Sequence, residues 1–154
     1  ILQIDSPNHV FDQPTTNNST NMRFGTEILL IGYEWPKEQV QPGAVVDIKL
    51  IWQAIQTPEV DLSAFVHLEN HNGELVAQHD AVPSNWTRPS TGWVSGEYVT
   101  DSHLLTIPTL AASGEYRLYV GLADRTNGVR VTVTDASGRG VSDRALLGTV
   151  TVIP

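Results

Sequence analysis

The stretch Val45-Val46-Asp47-Ile48-Lys49-Leu50-Ile51-Trp52-Gln53-Ala54 sets Val46, Ile48, Leu50, Trp52 and Ala54 on one side of an extended chain, and Asp47, Lys49 and Gln53 on the other. A period of two in a segment rich in β-branched residues is a strand with one face in a core and the other wet. Half-polar strands of this kind belong to antiparallel sheets. Glu115–Asp124 repeats the pattern, with Tyr116, Leu118, Val120 and Leu122 opposite Glu115, Arg117 and Tyr119. Outward from these two, short apolar stretches are separated by Gly, Pro, Asn and Asp at intervals of about ten residues, which is the all-β signature. The strands predicted are Ile28–Glu34, Val45–Ala54, Leu62–Glu69, Glu74–Asp80, Tyr98–Ile107, Glu115–Asp124, Val129–Thr134 and Leu146–Ile153.

Two turns fix neighbours. Glu69-Asn70-His71-Asn72-Gly73 joins the third and fourth strands as a hairpin, with Gly73 for the positive-φ position, and Asp124-Arg125-Thr126-Asn127-Gly128 is expected to join the sixth and seventh in the same way. Ser113-Gly114-Glu115-Tyr116-Arg117-Leu118 reads as a tyrosine corner, in which a Tyr early in a strand bonds back to the preceding connection. Together these predict a single antiparallel β-sandwich of about eight strands, immunoglobulin-like or jelly-roll, with Greek-key connections. Helix is expected to be confined to about one turn near Thr109–Ser113. Residues 1–23, polar and turn-rich through Gln13-Pro14-Thr15-Thr16-Asn17-Asn18-Ser19-Thr20-Asn21, read as an irregular arm, a linker or an edge segment, and residues 24–154 as the domain.

A chain of 154 residues is long enough to close a sheet-built core without staples. Having no Cys, it has no disulfide framework, thiolate zinc site or thiol nucleophile. Apolar runs stay well short of the roughly 18 residues of a membrane helix. The sequence begins at Ile1 without Met and is read as a piece of a longer protein. A net charge of -8, with its 9 cations scattered, argues against nucleic acid as a partner, which requires clustered cations to displace condensed counterions.

The sequence contains no nucleophile elbow, phosphate-cradling glycine loop, dinucleotide fingerprint or H-E-x-x-H pair. A non-enzymatic domain is expected, with no catalytic residues. His67 and His79 on adjacent strands and His103 on a third, with Asp80 and Asp101 nearby, compose a conceivable zinc set, set against satisfied or solvent-facing imidazoles. Asp124, Asn127 and Asp135 offer hard oxygens to calcium and equally suit ordinary turns. No other cofactor is implied.

The segment that most invites a ligand is the connection from Ala81 to Glu97, which carries two of the four Trp. Loops this long inside a compact domain tend to be functional. Trp86, Trp93 and Tyr98 are candidates for an aromatic platform that stacks on sugar rings, with Asn85, Arg88 and Asp101 reaching the hydroxyls. The alternative is that the indoles fold back as plugs over the open end of the sandwich.

Three stretches carry a resemblance. They are Phe24-Gly25-Thr26-Glu27-Ile28-Leu29-Leu30-Ile31-Gly32-Tyr33 with Val40-Gln41-Pro42-Gly43 and Ile51-Trp52-Gln53-Ala54; then Phe65-Val66-His67-Leu68 with Asn72-Gly73 and Val76-Ala77-Gln78-His79-Asp80; then Gly114-Glu115-Tyr116-Arg117-Leu118-Tyr119-Val120-Gly121-Leu122 with Leu147-Gly148-Thr149-Val150. As a set they resemble a β-sandwich module at the C-terminal, extracytoplasmic end of large membrane glycosyltransferases of the mannosyltransferase type, and related membrane proteins, in Chloroflexi-like bacteria. The resemblance spans residues 23–153. It implies an accessory domain outside the cytoplasm, attached to membrane-embedded parts of its parent and without catalytic residues of its own. The expected function is assistance in glycan or acceptor binding; the rival is a structural or protein-interaction module that needs no small ligand.

Overall fold

Hydrophobic alternation builds two sheets whose inner faces must meet. The computed structural model describes residues 8–35, 39–140 and 142–154. Its strands are β1 (Asn18–Phe24), β2 (Ile28–Glu34), β3 (Gln39–Val40), β4 (Val45–Ala54), β5 (Leu62–Glu69), β6 (Leu75–Ala81), β7 (Tyr98–Thr106), β8 (Gly114–Asp124), β9 (Val133–Thr134) and β10 (Ala145–Val152). The first sheet runs β7-β4-β2-β1-β9 and the second β3-β10-β8-β5-β6. All pairings are antiparallel except β3 with β10. The all-β sandwich is as the sequence predicts, with ten strands among the described residues in place of about eight.

Val46, Ile48, Leu50, Trp52 and Ala54 of β4 face Tyr116, Leu118, Val120 and Leu122 of β8 across a single core. Phe24 meets Trp52 edge-on at 5.0 Å between centroids. The tyrosine corner forms: Tyr116 Oη donates to the carbonyl of Ala112 at 2.7 Å. The β5–β6 hairpin closes as expected, with Gly73 at φ 79 and the Asn70 side chain accepting from the N–H groups of Asn72 and Glu74.

Three features depart from the sequence reading. Asn18–Phe24 is a strand, hydrogen-bonded between β2 and β9, although its polar residues carry no apolar period. The turn at Asp124–Gly128 closes, but beyond the bridge of Ala123 to Arg130 the chain leaves the sheet; the strand expected over Val129–Thr134 shrinks to β9, which pairs with β1 in the opposite sheet. Among the described residues the one 3-10 turn lies at Ser90–Gly92, while Pro108–Ala111 makes only a hydrogen-bonded turn.

The segment before β1 is docked. Val10 bridges Tyr98 at the β7 edge, and Thr16 sits against Gly32, where any Cβ would collide with Thr16 and with the carbonyl of Asn18. Residues 1–7 lie outside the described residues.

Removing the corner hydroxyl should cost one buried hydrogen bond. Tyr116→Phe is expected to lower stability by about 1 kcal/mol, seen as a reduced urea midpoint with an unchanged slope.

Candidate functional site

The connection from Ala81 to Glu97 takes its shape from one buried carboxylate. Glu97 is 0% exposed and receives Arg88 Nη2 at 2.8 Å, His9 Nδ1 at 2.7 Å and the N–H of Val94 at 3.1 Å. Burial alone would raise its pKa, but the hydrogen bonds from Arg88, Val94 and His9 hold it below the ordinary glutamate range. The carbonyl of Arg88 then accepts from Trp93 Nε1 at 3.0 Å, which seats a 0% exposed indole in the core. Arg88 is therefore a bracket and Trp93 a plug.

Asp101 is also fully buried. Its Oδ2 accepts from Trp52 Nε1 at 3.1 Å, and its Oδ1 from the N–H of Ser84 at 2.8 Å. Tyr98 opens β7 half-buried, with its N–H on the carbonyl of Val10 at 2.7 Å. Of the six residues read as a platform, only Trp86 and Asn85 are exposed. The structure does not gather Trp86, Trp93 and Tyr98 into one open surface.

What remains at the surface is unusual. Ser84, Asn85 and Trp86 occupy consecutive left-handed conformations, at φ 58, 52 and 70. Non-glycine residues rarely adopt these angles, and each costs about 1 kcal/mol or more. The turn is held by the Trp86 N–H on the carbonyl of Val82 (2.9 Å), the Arg88 N–H on that of Pro83 (3.1 Å) and the Ser84 contact to Asp101. It presents the Trp86 ring 56% exposed, with the Arg125 guanidinium 5.3 Å from the ring centre and braced by Asp61.

Arg125 also lines an open groove of about 340 Å³ on the outer face of the second sheet, with Phe65, His67, Asp80, Asp124 and Arg130 among its walls. Phe65 and His67 rise from β5 on the side away from the core, since Leu62, Ala64, Val66 and Leu68 already fill the inner side. Phe65 lies flat because its register partner is Gly121; a Cβ there would stand 2.0 Å from the ring. Arg130 caps the other ring face at 4.5 Å, and the ring centres of Phe65 and His67 are 4.7 Å apart. Next along the sheet, Arg144 lies 3.7 Å over Tyr119 and pairs with Glu69. Burial pushes the His67 pKa down, aided by Arg130 and Arg144 and opposed by Asp80 at 3.6 Å and by Glu69, so the imidazole stays neutral near pH 7.

The histidines do not converge as a metal set. His67 points outward, whereas His79, opposite Val66, points inward to His103. Among the described residues no three His, Cys, Asp or Glu side chains are arranged to hold a metal ion. Asp124, Asn127 and Asp135 each accept backbone N–H groups of their own turns, from Thr126, Val129, and Ser137 with Arg139. Phe65 was detectable in sequence as a bulky residue out of phase with the core-facing set of its own strand.

No family model matches this chain, and no curated protein sequence matches it. Among solved structures, it is similar to the C-terminal domain of Wzt over 99% of this chain and 90% of that one, with a TM-score of 0.60 at 12% identity. It is also similar to a CARDB domain from Pyrococcus furiosus, solved in complex with di-metal ions, over 94% of this chain and 99% of that one, with a TM-score of 0.43 at 14% identity. The first likeness is one of fold: both chains are β-sandwiches of the same architecture.

The buried groups set a pH dependence. A group whose folded pKa is lowered takes its proton more readily in the unfolded chain, so stability is complete above the unfolded pKa and falls as pH drops toward the folded one. His67 and His79, both lowered chiefly by burial, should erode stability below about pH 6.5, and Glu97 should add a second loss below the ordinary glutamate range. Urea midpoints measured from about pH 8 to about pH 3 should fall in these two stages. A midpoint that stays flat down to about pH 5 would show that the imidazoles are not held neutral.

Proposed function

We propose that this domain is a non-catalytic module that binds carbohydrate in the groove lined by Arg125, Phe65, His67 and Asp80, with Trp86 beside Arg125 at its edge. The reading includes its place as an extracytoplasmic accessory domain of a larger membrane protein of glycosyltransferase type. The observation that carries the binding reading is Trp86: a large aromatic held exposed, at φ 70, beside the rim of a polar groove. Backbone strain of this kind is retained where the surroundings enforce it, commonly at ligand sites. An open indole face suits the C–H face of a pyranose. Planar guanidinium and carboxylate groups suit pairs of neighbouring hydroxyls, because each offers two parallel donors or acceptors.

Charge narrows the sugar class. Arg125 and Arg130 are already paired with Asp61 and Asp143, and Asp80 is available opposite them. With a net charge of -8 on the chain, this favours a neutral saccharide over a polyanion. The groove's volume lies at the lower end of the range for small-ligand sites, matching one or two sugar units. No helix among the described residues is long and apolar enough to cross a membrane, so the membrane association in this reading belongs to other parts of the parent protein.

The rival, a protein-interaction module, is favoured by Val45 and Leu104, both about 60% exposed on the outer face of the first sheet. Binding to an array of neutral oligosaccharides separates the two readings. Trp86→Ala should weaken glycan binding about tenfold, corresponding to about 1.4 kcal/mol of lost stacking, with little change in melting temperature. Absence of glycan binding, or equal binding by Trp86→Ala, would remove carbohydrate as the ligand of this groove.

A further inference from the structure

An unbroken chain of hydrogen bonds crosses from one sheet to the other at the β6 and β7 edges. His103 Nε2 lies 2.8 Å from Asp101 Oδ2, and His103 Nδ1 lies 2.8 Å from Nδ1 of His79. Asp101 and His103 are on β7 and fully buried, and His79 is on β6, half-buried. The two rings meet edge to face with centres 5.0 Å apart.

The proton positions follow from the donors available. Asp101 already accepts N–H groups from Trp52 and Ser84, and Nε2 of His103 supplies the third donor to the same carboxylate. A neutral His103 is then bare at Nδ1. His79 must therefore donate from its own Nδ1, which leaves its Nε2 as the one nitrogen of the chain without a protein partner among the described residues. One added proton enters at that Nε2 with every hydrogen bond kept. A second, on His103, sets two N–H groups against each other at 2.8 Å and breaks the contact between the sheets.

The same carboxylate anchors the strained turn, since Asp101 Oδ1 accepts from Ser84, the first residue of the left-handed run that ends at Trp86. Ser84 also follows His79 by only a few residues of chain. We propose that His79 and His103 are positioning residues for Trp86: through Asp101 they hold the Ser84–Trp86 turn in its left-handed form, and protonating both imidazoles releases it.

The groups facing His79 support this. Asp101 and His103 of β7 and Asp80 of its own strand are the charged or titratable groups that act on it, while Trp52 of β4 contributes an uncharged donor to the chain. Burial, followed by the nearness of His103, pushes its pKa below the usual imidazole value, so the first proton arrives on the acid side of neutrality and release, which needs the second, lies below that step. Weakened ligand binding in acid rests on the carbohydrate reading above; the movement of Trp86 does not.

Two measurements on the unliganded protein test the proposal. Nitrogen NMR of the imidazoles at about pH 8 should find His79 protonated on Nδ1 and His103 on Nε2, and a His79 protonated on Nε2 would overturn it. Fluorine NMR of fluorotryptophan-labelled protein, with the Trp86 signal assigned by its loss in Trp86→Phe, should show that signal holding still through the first imidazole protonation and shifting and sharpening at the second, at lower pH. His79→Asn removes the titration while keeping an amide that can turn to meet either proton state of His103, so its Trp86 signal should hold still. A signal that moves equally in His79→Asn, or that stays fixed while both imidazoles titrate, overturns the proposal. No sugar is present in either measurement, so the two readings fail separately: a missing glycan leaves this result intact.

Discussion

An indole N–H in a protein interior needs an acceptor, and Trp52, central in the core, finds one only in the carboxylate of Asp101. A charge brought into the core must itself be satisfied on every side. His103 and the N–H of Ser84 supply what Trp52 does not, and each ties Asp101 to a different part of the molecule: one to the β6 edge of the opposite sheet, the other to the Trp86 turn. A core residue and an exposed ring are thereby connected through a single side chain. The hydrogen bonds that Asp101 and the neighbouring carbonyls make to this turn together offset the strained backbone at Ser84, Asn85 and Trp86, which is why that backbone persists.

A second buried carboxylate organises the rest of the connection. Glu97 gathers Arg88, His9 and a loop N–H, and through Arg88 seats Trp93 as the lid of the core. The two indoles of one loop thus have opposite roles, one closing the sandwich and the other facing solvent. Beside the exposed ring, the outer face of the second sheet is shaped by an absence: Gly121 has no side chain, so Phe65 can lie flat and make the floor of a groove instead of a ridge.

The strands whose signal is local were legible. Alternation in β4 and β8, the Asn-Gly turn after β5 and the tyrosine corner before β8 all appear where the residues indicate. β1 was not, because Asn18, Ser19, Thr20 and Asn21 carry no apolar period; their strand forms from backbone pairing with β2 and β9 rather than from burial of their own side chains. Val129–Thr134 has the composition of a strand, yet Arg130 makes only an isolated bridge to Ala123, and Val133 and Thr134 pair with β1 in the other sheet.

The sequence by itself determined the fold class, most strand positions and the presence of a long aromatic connection, because these depend on side-chain period and turn chemistry within a few residues of chain. Tertiary structure alone decided which indole faces water, that Arg88 and Asp101 serve the interior, that Asp101, His103 and His79 line up between the sheets, and that Phe65 and His67 join Arg125 in one groove. These depend on the register between strands and on the desolvation of buried polar groups. Both are set by how the chain packs across the fold, even where the partners, such as Arg88 and Trp93, are close in sequence, and neither leaves a local mark in the chain.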